Sequence, residues 1–150
     1  MAKKTFTGRP LLPGELNGEA LVSHQAFNTS GSYLDHMFGG SAGPPALCTD
    51  ANNKDLAGVD LAGAIICTTQ TVGSTLGGCV LMGMDELKIG PKALLFSLHI
   101  DSVAAAGLFM NDIWYDRRII TIDLLGDAFL EAVKTGDPIA IHADGTVEVG

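Results

Sequence analysis

Basic side chains are scarce in this sequence. Lysine and arginine together number 9 against 17 acidic residues, for a net charge of −8. No Lys/Arg cluster is left to neutralise phosphates, which argues against a nucleic acid or an anionic membrane as partner. The longest apolar windows, such as 76-LGGCVLMGM-84, fall far short of a membrane span. Residues 2–4 read Ala-Lys-Lys with no apolar run behind them, so no signal peptide is expected and the cytoplasm is the expected location. There is no internal repeat and no low-complexity tract. Cysteine is rare too: Cys48, Cys67 and Cys79 make an odd count without CxxC or CxxH spacing, so this chain alone is not expected to build a zinc or iron–sulfur site. Cys67 and Cys79 lie in apolar segments and read as core residues. Cys48, in the loop 44-PPALCTDANNK-54, reads as the one cysteine placed to react or to ligate.

What the sequence does hold is apolar bulk, at 47% of 150 residues. That length is expected to form one domain spanning 1–150 and to bury roughly two-thirds of its unfolded surface. Strands are expected at 15-ELNGEALVS-23, 62-AGAIICTT-69, 92-KALLFSL-98, 118-RIITID-123 and 138-PIAIHA-143. Helices fit between them. One runs from Thr75 to Leu87 behind a Ser74 cap. Another covers 103-VAAAGLFMN-111 behind Asp101 and Ser102. The third covers 128-AFLEAVKT-135, starting after Asp127 and stopping at Gly136. Asp144-Gly145, between alternating runs, marks a closing hairpin. Strands alternating with helices, flanked by antiparallel pieces, imply an α/β fold on a mixed sheet. Residues 27–58 have little periodicity of their own. A loop of that length is usually functional or disordered, and its Gly- and polar-rich part, 31–54, is expected to become ordered on binding.

Several motifs invite a chemical reading. Residues 39-GGSAG-43 match the G-x-S-x-G nucleophile elbow, but Pro44-Pro45 block the helix that must follow, so Ser41 is rejected as a nucleophile. The string 22-VSHQA-26 is similar to the Ser-His-x-Ala of phosphohistidine carriers, yet it lacks their upstream glycine pair and following helix. His24 reads as a strand-end surface residue, and His36, His99 and His142 are isolated from one another. The stretch Gly73-Ser74-Thr75 is the most informative. It stands at a strand-to-helix turn, where ligands collect in open α/β sheets. A helix start offers unpaired N–H donors and about half a positive charge for a carboxylate or phosphate. No lysine is present in the turn, so it is not a P-loop. A serine ahead of a helix is first of all an N-cap, and the two roles are compatible.

Taken in order, these stretches resemble the small subunit, or swivel domain, of the aconitase X family. The likeness rests on 8-GRPLLPGELNGEALVS-23, 37-MFGG-40, Asp50 with 55-DLAGVDLAGAII-66, and 73-GST-75 followed by Gly77. The resemblance implies a swivelling β/β/α domain with a mixed, barrel-like closed sheet and flanking helices. It implies a hydro-lyase subunit that needs a larger partner subunit, which holds most of an iron or iron–sulfur cluster and most contacts to a small carboxylate substrate. It assigns Ser74 as the proton-abstracting base, with Gly73 and Thr75 binding substrate. Family members dehydrate mevalonate 5-phosphate in archaea and cis-3-hydroxy-L-proline in bacteria. This chain has Ser41-Ala42 where relatives have x-Asp, and Asn53 where archaeal members place a His near the Asp. Those departures tilt the expectation to hydroxyproline, with mevalonate 5-phosphate as the alternative. From another class, the rivals are a stand-alone carrier using His24, an anion-binding module at the Ser74 turn, and a degenerate structural subunit.

Overall fold

The structure, a computed structural model, describes residues 2–40 and 42–150. Ser41 of the rejected elbow lies outside the described residues. In chain order the elements are β1 (Lys4–Thr7), β2 (Arg9–Leu12), β3 (Leu16–Val22), β4 (Phe27–Asn28), α1 (Thr29–Ser32), α2 (Leu34–Met37), β5 (Ile65–Thr68), β6 (Thr71–Val72), α3 (Gly77–Glu86), β7 (Ala93–Phe96), α4 (Ser102–Tyr115), β8 (Ile120–Asp123), α5 (Asp127–Ala132), β9 (Pro138–Ile141) and β10 (Thr146–Val149). Eight strands form one mixed sheet in the order β1-β10-β9-β3-β5-β7-β8-β2. The run β3, β5, β7 and β8 is parallel, and the remaining pairings are antiparallel.

The two end strands, β1 and β2, are consecutive in the chain, so the sheet nearly closes on itself at Gly8. The Gly8 N–H donates to the Gly145 carbonyl at 3.0 Å. A Cβ at Gly8 would lie 2.7 Å from the Ile122 Cγ2 and 2.9 Å from the Leu125 Cγ, so the crossing needs glycine. These first two strands were not expected from the sequence. They are short and half-exposed, and Pro10 interrupts the second. The other end of the closure is tied by Arg9, which donates to both oxygens of fully buried Asp123 at 2.9 and 2.7 Å. The Ile100 N–H donates to the same carboxylate at 3.0 Å.

Alternation explains why the central strands read as unbroken apolar runs. In β5, Ile65 and Cys67 point to one face and Ile66 to the other; in β7, Ala93 and Leu95 oppose Leu94 and Phe96. The first set joins Ile139, Ile141, Val147, Val149 and Phe129 of α5 on the inner face of the barrel-like sheet. The second set packs against Val80, Leu81 and Met84 of α3 and Ala104 and Leu108 of α4. A strand buried on both faces has no polar side to show. Burial pushes the Cys67 thiol up from its ordinary range, as expected of an inert core cysteine.

Four further expectations need correction. Cys79 is exposed and Cys48 is buried, the reverse of the sequence reading, because position 79 falls on the outer face of α3 while Cys48 turns from the 27–61 segment into the core cluster. That segment is not a bare loop: Phe27, Tyr33, Cys48, Leu56 and Leu61 are core residues, and burial raises the Tyr33 phenol. Asn53, 1% exposed, donates to the Ser23 hydroxyl at 2.9 Å and accepts from the Asp55 and Leu56 N–H groups at 3.2 Å, which fastens the segment to the end of β3. Finally, α5 is capped by Gly126 and not by Asp127, and it stops at Ala132 because Val133 is already extended.

The seam makes a prediction. Arg9→Ala leaves the buried Asp123 carboxylate without its ion-pair partner, and the variant is expected to unfold at a lower urea concentration than the parent. Urea unfolding monitored by circular dichroism measures it; an unchanged midpoint would show that the pair does not secure the closure.

Candidate functional site

Helix α3 follows β5 and the short β6, helix α4 follows β7, and the two run side by side with their first turns together. Gly78 and Gly107 let this happen. A Cβ on Gly78 would collide with the Val103 carbonyl oxygen and the Gly107 backbone, so the two backbones touch. Towards the other end the Asn111 Nδ2 donates to the Asp85 Oδ2 at 2.8 Å, which keeps the helices in register. Two positive helix ends therefore converge on one spot.

That spot is an open cleft of about 290 Å³, lined by Thr29, Thr71, Val72, Gly73, Ser74, Thr75, Gly77, Asp101 and Val103. Gly73, Ser74 and Thr75, brought forward from the sequence, all stand in it, and the Ser74 and Thr75 side chains are exposed. Helix α3 starts at Gly77, two residues later than expected, and its formal cap, Leu76, makes no side-chain cap bond. Ser74 does part of that work: its hydroxyl accepts from the Leu76 N–H and its carbonyl from the Gly77 N–H, both at 3.0 Å. It therefore makes a local serine turn ahead of the helix. Gly73 holds φ +113°, and a Cβ there would lie 2.5 Å from the Asn28 Oδ1. Only glycine fits this turn.

Asp101 and Thr29 join the site without having been anticipated as its members. Asp101 is the cap the sequence places there, and its Oδ1 accepts from the Val103 and Ala104 N–H groups, both at 2.9 Å. Its Oδ2 also takes the Thr71 hydroxyl, so the residue neutralises the α4 end of the cleft and ties β6 to it. The anion-friendly donors are left at the α3 end. Thr29 is 1% exposed, and its hydroxyl has no hydrogen-bond partner among the described residues. Leaving such a group unsatisfied costs about 1–3 kcal/mol. It reaches the cleft through the short parallel pairing of β4 with β6, which sets Asn28 beside Val72. No sequence spacing of that kind could have been read in advance.

Other residues singled out from the sequence stand elsewhere. None of the described residues of 31–54 lines this cleft; Met37 instead shares a shallow apolar groove with Leu76 and Cys79. His24 is exposed, with its Nδ1 3.4 Å from the Asp55 Oδ2. His142 lies between Glu15 and Glu148, each at 3.4 Å. Among the described residues no three His, Cys, Asp or Glu side chains converge as metal ligands. No helix among them is long and apolar enough to cross a membrane.

Residues 5–149 match the family model described as the aconitase X swivel domain. The phosphomevalonate dehydratase small subunit of Archaeoglobus fulgidus is 29% identical over 145 residues, which cover 96% of this chain and 97% of that one. The protein of the same name from Thermococcus kodakarensis is 26% identical, covering 95% and 93%. The crystal structure of Thermococcus kodakaraensis aconitase X in its holo-form superposes with a TM-score of 0.78 at 25% identity, covering 98% of each chain. The nearly closed mixed barrel, the ordered motifs and the family match together establish that this chain belongs to the aconitase X swivel-domain family.

Proposed function

We propose that this chain acts as a single swivel domain, the small subunit of an aconitase X-type hydro-lyase that dehydrates mevalonate 5-phosphate, with Ser74 as the proton-abstracting base. The observation that carries the reading is an exposed serine hydroxyl on a glycine-only turn, at the mouth of a cleft where two helix N-termini meet. The names of the relatives favour mevalonate 5-phosphate over the hydroxyproline activity expected from the sequence departures. One of those departures, Asn53, is a buried structural residue here, which weakens it as a guide to substrate.

The chemistry asked of Ser74 is demanding. Its deprotonated oxygen takes the proton from the carbon next to the substrate carboxylate. The C–H electron pair becomes the new C=C bond as hydroxide leaves the neighbouring carbon, for a net loss of water. A serine alkoxide needs donors and a positive field. The Leu76 N–H already points at the Ser74 Oγ, and the α3 N-terminus adds about half a positive charge. Gly73 lets the substrate approach the backbone, and Thr75 supplies an N–H and a hydroxyl to a substrate oxygen. The iron or iron–sulfur centre and the rest of the substrate contacts belong to the larger subunit in this reading.

One observation supports a second reading. The cleft contains Asp101 and no Lys or Arg among its lining residues, which suits a substrate with an ammonium, such as cis-3-hydroxy-L-proline, better than a phosphate. Co-purification of this chain with its larger subunit, an iron assay, and kcat/KM for both compounds decide between them. Mevalonate 5-phosphate is expected to be the better substrate, and a preference for hydroxyproline would reverse the assignment.

In the assembled enzyme Ser74→Ala is expected to lower kcat by about 10²–10⁴, the usual weight of a general base. The accompanying stability loss is expected to be about 0.5 kcal/mol, because the exposed hydroxyl accepts one N–H bond. Near-full turnover by the variant would remove Ser74 as the base. His24→Ala is expected to leave dehydration unchanged and to give the same phosphate-labelling signal as the parent chain; loss of a phosphohistidine signal would instead establish the carrier.

A further inference from the structure

Ser74 is held from behind by two consecutive residues. A Cβ on Gly73 would lie 2.5 Å from the Asn28 Oδ1, and a Cβ on Gly77 would lie 2.9 Å from the Thr29 Oγ1. The dipeptide thus presses on both glycines that bracket the serine. Asn28 is already committed, since its Oδ1 accepts from the Gly31 N–H at 2.9 Å. Thr29 is not: its hydroxyl is buried, unpartnered among the described residues, and part of the cleft wall beside the first turn of α3. Valine would occupy the same space without stranding a polar group. The unpartnered hydroxyls of Ser30 and Ser32 share the helix but do not line the cleft.

We propose that Thr29 is a positioning residue for Ser74, whose hydroxyl donates to the 74–77 turn when substrate tightens it and so fixes the serine oxygen for proton abstraction. The proposal rests on the assignment of Ser74 as base. Hydrogen bonds that serve catalysis are often unmade in the unliganded protein and close in the substrate complex. The cleft around Thr29 supplies what such a donor needs. Gly77 offers no side chain to block the approach, and burial behind it keeps water from competing for the hydroxyl.

The test uses the enzyme assembled with its larger subunit and whichever of the two candidate substrates it dehydrates. Thr29→Val is expected to lower kcat about tenfold or more, to change KM less than about threefold, and to leave Tm unchanged or raised. Thr29→Ser, which restores the hydroxyl, is expected to recover most of kcat. Ser32→Ala, which removes an equally buried hydroxyl away from the cleft, is expected to change neither kcat nor KM. Thr29→Val with parental kcat beside an inactive Ser74→Ala would overturn the proposal and leave the base assignment standing. A Thr29→Val loss that follows Tm downward, or that serine does not rescue, would reduce the residue to packing and overturn it equally. Parental turnover by Ser74→Ala would overturn the base assignment and the proposal together.

Discussion

Where Gly78 of α3 meets Gly107 of α4, two helix backbones touch with no side chain between them. That contact sets the spacing of both first turns, and the cleft depends on it. A larger residue at either position would push the helices apart and separate the Ser74 turn from Asp101 and Val103 across the cleft. The same contact lets Val80, Leu81, Ala104 and Leu108 reach the outer faces of β5 and β7, so the core and the site rest on one constraint.

The site's electrostatics follow from how the two helix ends are treated. Each N-terminus carries unpaired N–H groups and a partial positive charge. At α4 the Asp101 carboxylate meets both needs, bonding two N–H groups and the Thr71 hydroxyl. At α3 a neutral serine makes a single weak turn and stays exposed. One end is closed by a carboxylate and the other stays open, which is the asymmetry the proposed reading uses when it sets the open end against a substrate held mainly by another subunit.

The sequence was most informative where the physics is local. Residues 62–69 and 92–98 announced buried strands because both faces pack, and Asp101 announced a helix because the cap bond spans two or three residues. It was least informative where contacts are made singly and far apart. The 27–61 segment enters the core through separate anchors such as Phe27, Tyr33, Leu56 and Leu61, which leave no period to detect. Strands β1 and β2 were invisible because closure, and not their own composition, makes them strands. Cys48 and Cys79 exchanged places because burial depends on what covers a residue, and neither neighbourhood is sequential.

By itself the sequence determined the α/β class, the central strands, the closing hairpin and the Gly73-Ser74-Thr75 turn. Each of these follows from side-chain periodicity, or from backbone freedom over a few residues. Tertiary structure alone decided that Thr29 would stand behind Gly77, that Thr71 would bond Asp101, and that Arg9 would seal the barrel against Asp123. Those pairings join residues 30 to 114 positions apart, and strand order and helix packing bring them together.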